Sequence, residues 1–319
     1  MQIIAADVGG TNTRLVSASI NEPRTVLHEI RYLSGEFDSF EPLLQTFIKD
    51  SGLASDQLDT LSLALPGLVG ESSAKLTNLP WTIDKKSLME KFGIDNVYLM
   101  NDFQASALGT RQLLDKDRVV LNEGMHDNGA TCVAVGAGTG LGVAWIQYDK
   151  KGEQTYSTEG GHIDFAPQDD TQSRLLQFLQ QRHEHVSYER VLSGSGLVSL
   201  YEFFTGNQQP GITAEWVNNQ TRNNDEAANK ALSLFVQVYG AYVGNLALLY
   251  KPYGGIFITG GIAPKIVKKM QSEDFISAYL NKGRMREQVK QIPVYLVTNE
   301  HVGVLGAMSE AIKMKQELK

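Results

Sequence analysis

The segment Ile3-Ile4-Ala5-Ala6-Asp7-Val8-Gly9-Gly10-Thr11-Asn12-Thr13 gives the strongest indication of the architecture, because an apolar run ends there in a glycine-rich turn. A second short strand, Leu15 to Ala18, follows almost at once. Glycines at such a point permit a tight turn and leave backbone amides exposed. The segment therefore predicts a strand, a Gly-Thr turn and a return strand.

The same pattern recurs in the second half of the chain. Thr131 to Val135 is an apolar strand, Gly136-Ala137-Gly138-Thr139-Gly140 is a turn, and Leu141 to Ile146 is a return strand. A pattern that occurs once in each half indicates duplicated domains. The length of 319 residues also exceeds the size that one hydrophobic core usually serves.

Strands and helices alternate around these hairpins, which predicts an α/β fold. The predicted strands are Leu61–Leu65, Val97–Met100 and Gly255–Thr259, and the predicted helices include Phe103–Leu114, one from about Pro264 and one from about His301. Asn223-Asn224-Asp225 could cap a further long helix that reaches about Tyr250, with apolar residues from Leu232 to Leu249 on one buried face. Gly303, Gly306 and Ala307 would let the last helix pack closely onto the first domain. We therefore predict a small α/β domain of residues 1–110 plus 300–319 and a large α/β domain of residues 111–299.

Composition excludes several classes of function. The formal charge of −7 disfavours nucleic acid and anionic lipid as partners. The apolar stretch from Tyr239 to Tyr250 is too short, and too interrupted by Gly240 and Gly244, for a membrane span. Cys132 is the one cysteine, so no intramolecular disulfide or cysteine metal cluster can form. The start of the chain does not resemble a signal peptide, and we expect a cytoplasmic protein.

Glycine turns at strand ends indicate a nucleotide site, because their amides can bind phosphate oxygens. The turns are Gly9-Gly10-Thr11-Asn12, Gly138-Thr139-Gly140 and Gly260-Gly261. One such turn alone is more often a simple hairpin, but three are less easily explained that way. No Walker loop is present, and a dinucleotide-binding loop would lead into a helix rather than a strand.

Asp7 lies at the carboxyl end of the first strand, beside the first turn. A carboxylate there would suit Mg²⁺, held largely through water with phosphates completing its coordination. The alternative is a solvated aspartate that accepts hydrogen bonds from nearby amides.

Asn101-Asp102 follows an apolar strand and precedes a helix. That is a frequent position for catalytic groups in an open α/β sheet, and an ionised carboxylate can accept a proton from a hydroxyl. The alternative is a helix N-cap, for which both residue types are favoured. The two roles are compatible.

Glu159-Gly160-Gly161-His162 could bind a hydroxyl-rich substrate, because the glycines let both polar side chains turn to one point. A metal pair is the alternative, although nearby His183 and His185 lie in a charged stretch. Glu189 lies two residues after Ser187, a plausible helix cap, and could instead be a surface glutamate that compensates the helix dipole.

Together these segments resemble the bacterial glucokinases of the hexokinase, actin and heat-shock ATPase superfamily. The resemblance runs nearly end to end and is carried by Asp7–Leu15, Asn78–Trp81, Asn101–Phe103, Gly136–Gly142, Glu159–His162, Glu189–Gly194 and Gly260–Ala263.

The resemblance implies two ribonuclease H-like domains with a cleft between them. It implies ATP and Mg²⁺ as cofactors, a glycolytic transferase that phosphorylates glucose, and a cytoplasmic homodimer. It implies that Asp102 is the catalytic base and that Asn101, Glu159, His162 and Glu189 bind the sugar. The three glycine turns would contact ATP. A related branch carries a cysteine-rich zinc motif that this sequence lacks, so we expect no zinc.

Three alternatives stay open at this point. The sugar could be mannose or glucosamine, which the residues do not distinguish from glucose. A sugar-responsive regulator on the same fold would need a DNA-binding segment before the first strand, and that strand starts at about Ile3. An ATP-driven conformational protein would not need both Asn101-Asp102 and the Glu159–His162 segment.

Overall fold

The computed structural model describes residues 1–54, 57–150, 152–208 and 210–317. Backbone contacts divide the chain into two compact units. Unit 1 is Met1–Leu113 with His301–Lys319, and unit 2 is Leu114–Glu300. The sequence prediction put these boundaries after residues 110 and 299, and residues 318 and 319 of its last segment lie outside the described residues.

The strands of the described residues are numbered in chain order. They are β1 (Gln2–Val8), β2 (Asn12–Ser19), β3 (Glu22–Leu33), β4 (Leu58–Leu65), β5 (Gly67–Val69), β6 (Ser73–Leu76), β7 (Thr82–Asp84), β8 (Asn96–Asn101), β9 (Arg118–Asn122), β10 (Cys132–Ala137), β11 (Leu141–Asp149), β12 (Gly152–Thr158), β13 (Ile256–Thr259) and β14 (Val294–Val297).

The α-helices follow the same convention. They are α1 (Phe40–Asp50), α2 (Lys85–Phe92), α3 (Asp102–Thr110), α4 (Asp170–Gln180), α5 (Gly194–Thr205), α6 (Ala214–Arg222), α7 (Glu226–Tyr250), α8 (Val267–Met270), α9 (Glu273–Leu280), α10 (Arg286–Lys290) and α11 (Val302–Glu317). Short 3-10 helices include Gly160–His162 and Tyr188–Arg190.

Each unit contains a mixed sheet with the same strand order. In unit 1 the order is β3-β2-β1-β4-β8, and in unit 2 it is β12-β11-β10-β13-β14, with β9 added at the edge. The two hairpins predicted from sequence, β1–β2 and β10–β11, are antiparallel. On its other side, β1 pairs in parallel with β4, and β10 pairs in parallel with β13. The predicted recurrence is therefore confirmed at the level of topology.

Central strands of both sheets are buried along their length. All eight residues of β4 and all four residues of β13 and of β14 are buried. Strands that are covered on both faces are buried in this way, and most of their residues are apolar. A third, small sheet, β5-β6-β7, carries the turn Thr77–Trp81 in unit 1, where the indole of Trp81 is buried and donates to the Phe37 carbonyl oxygen at 3.2 Å.

Two element boundaries differ from the prediction. Helix α3 ends at Thr110 rather than Leu114, because the N–H groups of Arg111 and Gln112 donate to carbonyls three residues back and tighten the last turn. Strand β10 continues through Gly136 to Ala137, so the turn is limited to Gly138–Gly140. Its Gly138 N–H donates to the Gly140 carbonyl oxygen at 2.8 Å.

Helix α7 is the core helix of unit 2. Its predicted cap is confirmed, since the Asp225 carboxylate accepts from the Ala228 N–H at 2.7 Å. The helix is 25 residues long, and by length and composition it could cross a bilayer, contrary to the prediction from the shorter apolar stretch. However, 72% of its apolar window is buried inside the protein. Leu249, predicted on the buried face, is instead 69% exposed.

Helices α3 and α11 pack backbone to backbone in unit 1. A Cβ atom on Gly306 would overlap the carbonyl oxygen of Ala105, and one on Gly109 would overlap the carbonyl oxygen of Val302. These two glycines therefore set the distance between the helices. The predicted packing of the last helix onto the first domain is confirmed, because α11 also contacts β1 and β4.

Gly306→Ala is expected to lower the free energy of unfolding of unit 1 by about 3 kcal/mol, since the opposing atoms are backbone and cannot rotate away. In a thermal melt this corresponds to a fall in Tm of about 6–12 °C. Gly35→Ala is the matched control, because no atom lies within 4 Å of its new Cβ. Equal melting temperatures for the two variants would contradict the packing.

Candidate functional site

The carboxyl edge of the unit 1 sheet brings together the two carboxylates singled out in the first half of the sequence. Asp7 of β1 pairs with Ala64 of β4, and Ala64 pairs with Met100 of β8, which immediately precedes Asn101-Asp102. Two interstrand spacings separate β1 from β8, about 10 Å in total. Both carboxylates therefore lie at one edge of one sheet.

Asn101 caps helix α3, and Asp102 is the first residue of that helix. The Asn101 side-chain oxygen accepts from the N–H groups of Phe103 and Gln104, at 2.9 and 3.3 Å. Gln104 completes a capping box by accepting from the Asn101 N–H at 3.2 Å. The Asp102 carboxylate accepts from the Phe103 N–H at 2.9 Å. The cap interpretation is thus confirmed, and it fixes the direction of the Asp102 carboxylate.

Asp7 is only partly exposed and lies within β1 rather than in the turn. Its cross-strand partner is Arg14, and a Cβ atom on Gly303 would overlap its carboxylate. Burial raises the pKa of the Asp7 carboxyl to about 6, and the Arg14 guanidinium opposes that rise. The alternative of a solvated turn aspartate is therefore wrong.

Arg14 is itself held in place by side chains from β3 and from the start of α11. Its guanidinium contacts the Glu29 carboxylate and lies 2.8 Å from Nδ1 of His301, at the start of α11. Sequence reasoning quoted Arg14 as part of a motif without giving it a role. No local signal could have found Glu29 or His301, because their meeting depends on strand register and on the return of the last helix.

The first glycine turn is closed by a backbone bond of its own and is supported by residues distant in sequence. Gly9 N–H donates to the Asn12 carbonyl oxygen at 2.9 Å, and the Ser34 hydroxyl donates to the Gly9 carbonyl oxygen at 2.7 Å. A Cβ atom on Gly10 would lie 2.8 Å from Cβ of Asn78. Ser34 and Asn78 thus support the turn, and no local pattern in the sequence assigns either residue this function.

The second and third glycine turns are neighbours at the carboxyl edge of the unit 2 sheet. Gly136 of β10 pairs with Thr259 of β13, so the segments that follow them leave the sheet side by side. Gly260 has φ +84°, and a Cβ atom there would lie 2.6 Å from the Ala137 carbonyl oxygen. The Gly194 N–H, at the start of α5, donates to the Gly138 carbonyl oxygen at 2.8 Å.

Leu141, the first residue of β11, brings together the remaining predicted side chains. Its N–H donates to the Glu189 carboxylate at 2.9 Å, and its carbonyl oxygen would overlap a Cβ atom on Gly161. Glu159 and His162 flank that glycine, with Oε2 of Glu159 at 3.8 Å from Nε2 of His162. Both side chains are well exposed, at 82% and 58%. Glu159 and His162 are therefore open to solvent, and the partly exposed Glu189 lies against the same residue, Leu141.

One of the alternatives for these residues is wrong. Glu189 is not a dipole-compensating helix residue, because it lies in the single turn Tyr188–Arg190 and bonds a distant amide, and the Ser187 side chain makes no cap bond. Nε2 of His185 lies 2.7 Å from Oδ1 of Asp164. In the part of the chain that is described, no group of three His, Cys, Asp or Glu side chains could hold a metal ion.

Solved structures of other proteins resemble this chain over nearly its full length. The glucokinase from an Antarctic psychrotroph has a TM-score of 0.84 and 28% identity, covering 98% of this chain and 99% of that one. The ROK family glucokinase from Streptomyces griseus, solved in complex with glucose and AMPPNP, has a TM-score of 0.68 and 18% identity, covering 98% and 100%. The chain therefore has the actin-like ATPase fold, with two sheets of the same strand order.

Sequence relatives identify one family among the proteins that have the actin-like ATPase fold. The glucokinase family model matches residues 4–314. The glucokinase of Nostoc sp. (strain PCC 7120 / SAG 25.82 / UTEX 2576) is 36% identical over 333 residues, covering 96% of this chain and 97% of the relative. That of Colwellia psychrerythraea is 33% identical, covering 95% and 94%. The chain belongs to the glucokinase family and is an enzyme, a hexose phosphotransferase with an alcohol group as acceptor.

Proposed function

We propose that this enzyme transfers the γ-phosphoryl group of ATP directly to the 6-hydroxyl of glucose, giving glucose 6-phosphate and ADP. The observation that carries the proposal is the fixed carboxylate of Asp102 at the edge of the unit 1 sheet. Family membership supports the reaction class, and direct in-line transfer needs no covalent phospho-enzyme.

Asp102 acts as the general base in this mechanism. Its carboxylate accepts the proton of the attacking hydroxyl as the oxygen–phosphorus bond forms and the bond to the ADP oxygen breaks. Asn101 binds the sugar through its amide nitrogen, because the amide oxygen is occupied by the cap. In this mechanism the Asn101 amide nitrogen therefore binds the sugar, and the Asp102 carboxylate accepts the proton.

The sugar ligands from unit 2 are Glu159, His162 and Glu189. A carboxylate accepts from two hydroxyl donors, and a neutral imidazole either donates or accepts, which matches vicinal sugar hydroxyls. One Glu189 oxygen accepts from the Leu141 N–H, which leaves the other for substrate. The exposure of Glu159 and His162 is consistent with side chains that bind a ligand from solvent.

The glycine turns are the proposed nucleotide contacts. Gly9 to Asn12 in unit 1, and Gly138-Thr139 with Gly260-Gly261 in unit 2, lie at strand ends. The Gly9 and Gly138 amides close their own turns, so the proposed phosphate donors are the other amides of these segments. Such amides bind phosphate oxygens without cationic side chains, which suits a protein of net charge −7.

The Asp7 carboxylate is suited to hold Mg²⁺, largely through water molecules that the ion keeps. Its partly buried carboxylate is costly to ionise, and a bound cation would offset that cost. When bound with ATP, the ion would neutralise charge on the transferred phosphoryl group. Asp7 places the proposed Mg²⁺ site at the end of β1. Arg14 and Gly303 limit where its carboxylate can lie.

The kcat/KM for Mg-ATP is expected to fall as the pH drops through about 6, because the Asp7 carboxyl has a pKa raised to about 6 and is protonated below it. A protonated carboxyl cannot hold the cation. Initial rates between pH 5 and 8 at saturating glucose check this, and excess Mg²⁺ should move the acid limb to lower pH. A flat profile, or a limb that Mg²⁺ does not move, would count against Asp7.

We also propose that units 1 and 2 are the two domains of this enzyme, with boundaries near residues 110 and 300. The cytoplasmic location and the homodimer stay predictions. Light scattering of the purified protein tests the oligomeric state.

A coupled assay of ADP release across glucose, mannose and glucosamine tests the proposed function. We expect release that depends on added sugar and is fastest with glucose. Fastest turnover with mannose or glucosamine would assign the enzyme to that hexose instead. A sugar-responsive regulator would bind the sugar without ADP release.

A further inference from the structure

A partly buried polar network contacts the sugar-ligand segments of unit 2. Its first member is Tyr188, which is 2% exposed and precedes Glu189 in the chain. Its hydroxyl is hydrogen-bonded to the backbone of Ala166 and accepts from Nδ2 of Asn245 at 3.1 Å. Tyr188 thus joins the Glu189 turn to the segment that carries Glu159 and His162, and ties both to helix α7.

Backbone bonds reinforce this junction. The Tyr188 N–H donates to the Ile163 carbonyl oxygen, and the Phe165 N–H donates to the Val186 carbonyl oxygen, each at 3.0 Å. The Tyr188 ring also packs on the ring of Tyr242, with centroids 4.5 Å apart. Any shift of Tyr188 therefore displaces both sugar-ligand segments together.

Lys282 determines the orientation of Asn245. Its ammonium donates to Oδ1 of Asn245 at 2.8 Å and to the Ala241 carbonyl oxygen at 2.9 Å. An ammonium can only donate, so the amide oxygen must face Lys282 and the amide nitrogen must face Tyr188. Reversal of the amide would break the Lys282 bond and would force the Tyr188 hydroxyl to donate instead of accept.

The environment of Lys282 is unusual for a lysine. The side chain lies against Gly244 of α7, where a Cβ atom would overlap its Cε. Burial lowers the pKa of its ammonium. Its acceptors named above are neutral oxygens, which stabilise a partly desolvated charge less than a carboxylate would. An apolar residue would cost less to bury here, so the bonds that the ammonium donates are what offset its desolvation.

We propose that Lys282, acting through Asn245 and Tyr188, is a positioning residue for the sugar ligands Glu189, Glu159 and His162. This inference rests on the proposed function of those residues. It assigns Lys282 to sugar binding rather than to phosphoryl transfer, because the network ends at the backbone of the sugar-ligand segments.

Lys282→Met keeps the length of the side chain and removes its donors. We expect the KM for glucose to rise about tenfold, with kcat and the KM for Mg-ATP within about twofold of the parent enzyme. Lys282→Arg should restore the glucose KM to within about threefold, since a guanidinium also donates. Lys290→Met is the control, because Lys290 is an exposed lysine of the same unit.

Tyr188→Phe removes the hydroxyl that bonds Asn245, at the opposite end of the network from Lys282. If Lys282→Met fails to fold, this variant tests the positioning role instead. It should raise the glucose KM by a similar factor, and the double variant should be no worse than either single one, because the network is already broken. An unchanged glucose KM in Lys282→Met, or effects that multiply in the double variant, would overturn the inference. If the parent enzyme and Lys290→Met both fail to phosphorylate glucose, it is the proposed function that fails.

Discussion

Asp102→Asn is expected to lower kcat for glucose phosphorylation by about 10²- to 10⁴-fold, the usual contribution of a positioned general base. The amide cannot take the proton of the sugar hydroxyl. It can still accept from the Phe103 N–H, as the carboxylate does at 2.9 Å, so helix α3 should keep its first turn. Rates at saturating glucose and Mg-ATP measure the effect.

Asp84→Asn is the matched control for this change. Asp84 caps helix α2 of the same unit and accepts from the Ser87 N–H at 2.8 Å, and asparagine is an equally good cap. Its kcat should stay within about twofold of the parent value. Near-normal turnover in Asp102→Asn would remove Asp102 as the base.

Gly161→Ala is expected to lower kcat/KM for glucose about 100-fold, mainly through KM. The new Cβ would overlap the Leu141 carbonyl oxygen, so the Glu159–His162 segment must move away from β11. A displacement of about 1 Å at a binding group can cost a factor of that size. Initial rates over a range of glucose concentrations, with Mg-ATP saturating, give the two constants.

Gly129→Ala controls for the loss of a glycine in unit 2. Gly129 is exposed, and the nearest atom to its new Cβ would be an Asp127 carboxylate oxygen at 3.6 Å, an ordinary contact. Its kinetics should match the parent enzyme. Normal glucose KM in a folded Gly161→Ala protein would show that the sugar ligands are not held at Leu141.

The repeated hairpins could be predicted from sequence because their information is local. Apolar strands joined by glycine turns specify β1–β2 and β10–β11, and the mainly apolar segments Leu61–Leu65 and Gly255–Thr259 specify β4 and β13. The helix caps at Asn101 and Asp225 were found for the same reason. Their side chains bond amides two or three residues away.

Contacts between distant segments could not be read from the sequence. Glycine spacing predicted that α11 packs closely, but not that Gly306 meets Ala105 or that Gly303 meets Asp7. The bond from the Leu141 N–H to Glu189 spans 48 positions and has no local signal. Lys282 was missed because nothing in its neighbouring residues marks it as partly buried.

The central claim is that a sugar hydroxyl, rather than water, accepts the phosphoryl group. Phosphorus NMR of a reaction with glucose and Mg-ATP tests it most directly. The account predicts one glucose 6-phosphate for each ADP, and almost no ADP when glucose is left out. ADP and inorganic phosphate formed at the same rate with and without sugar would contradict it.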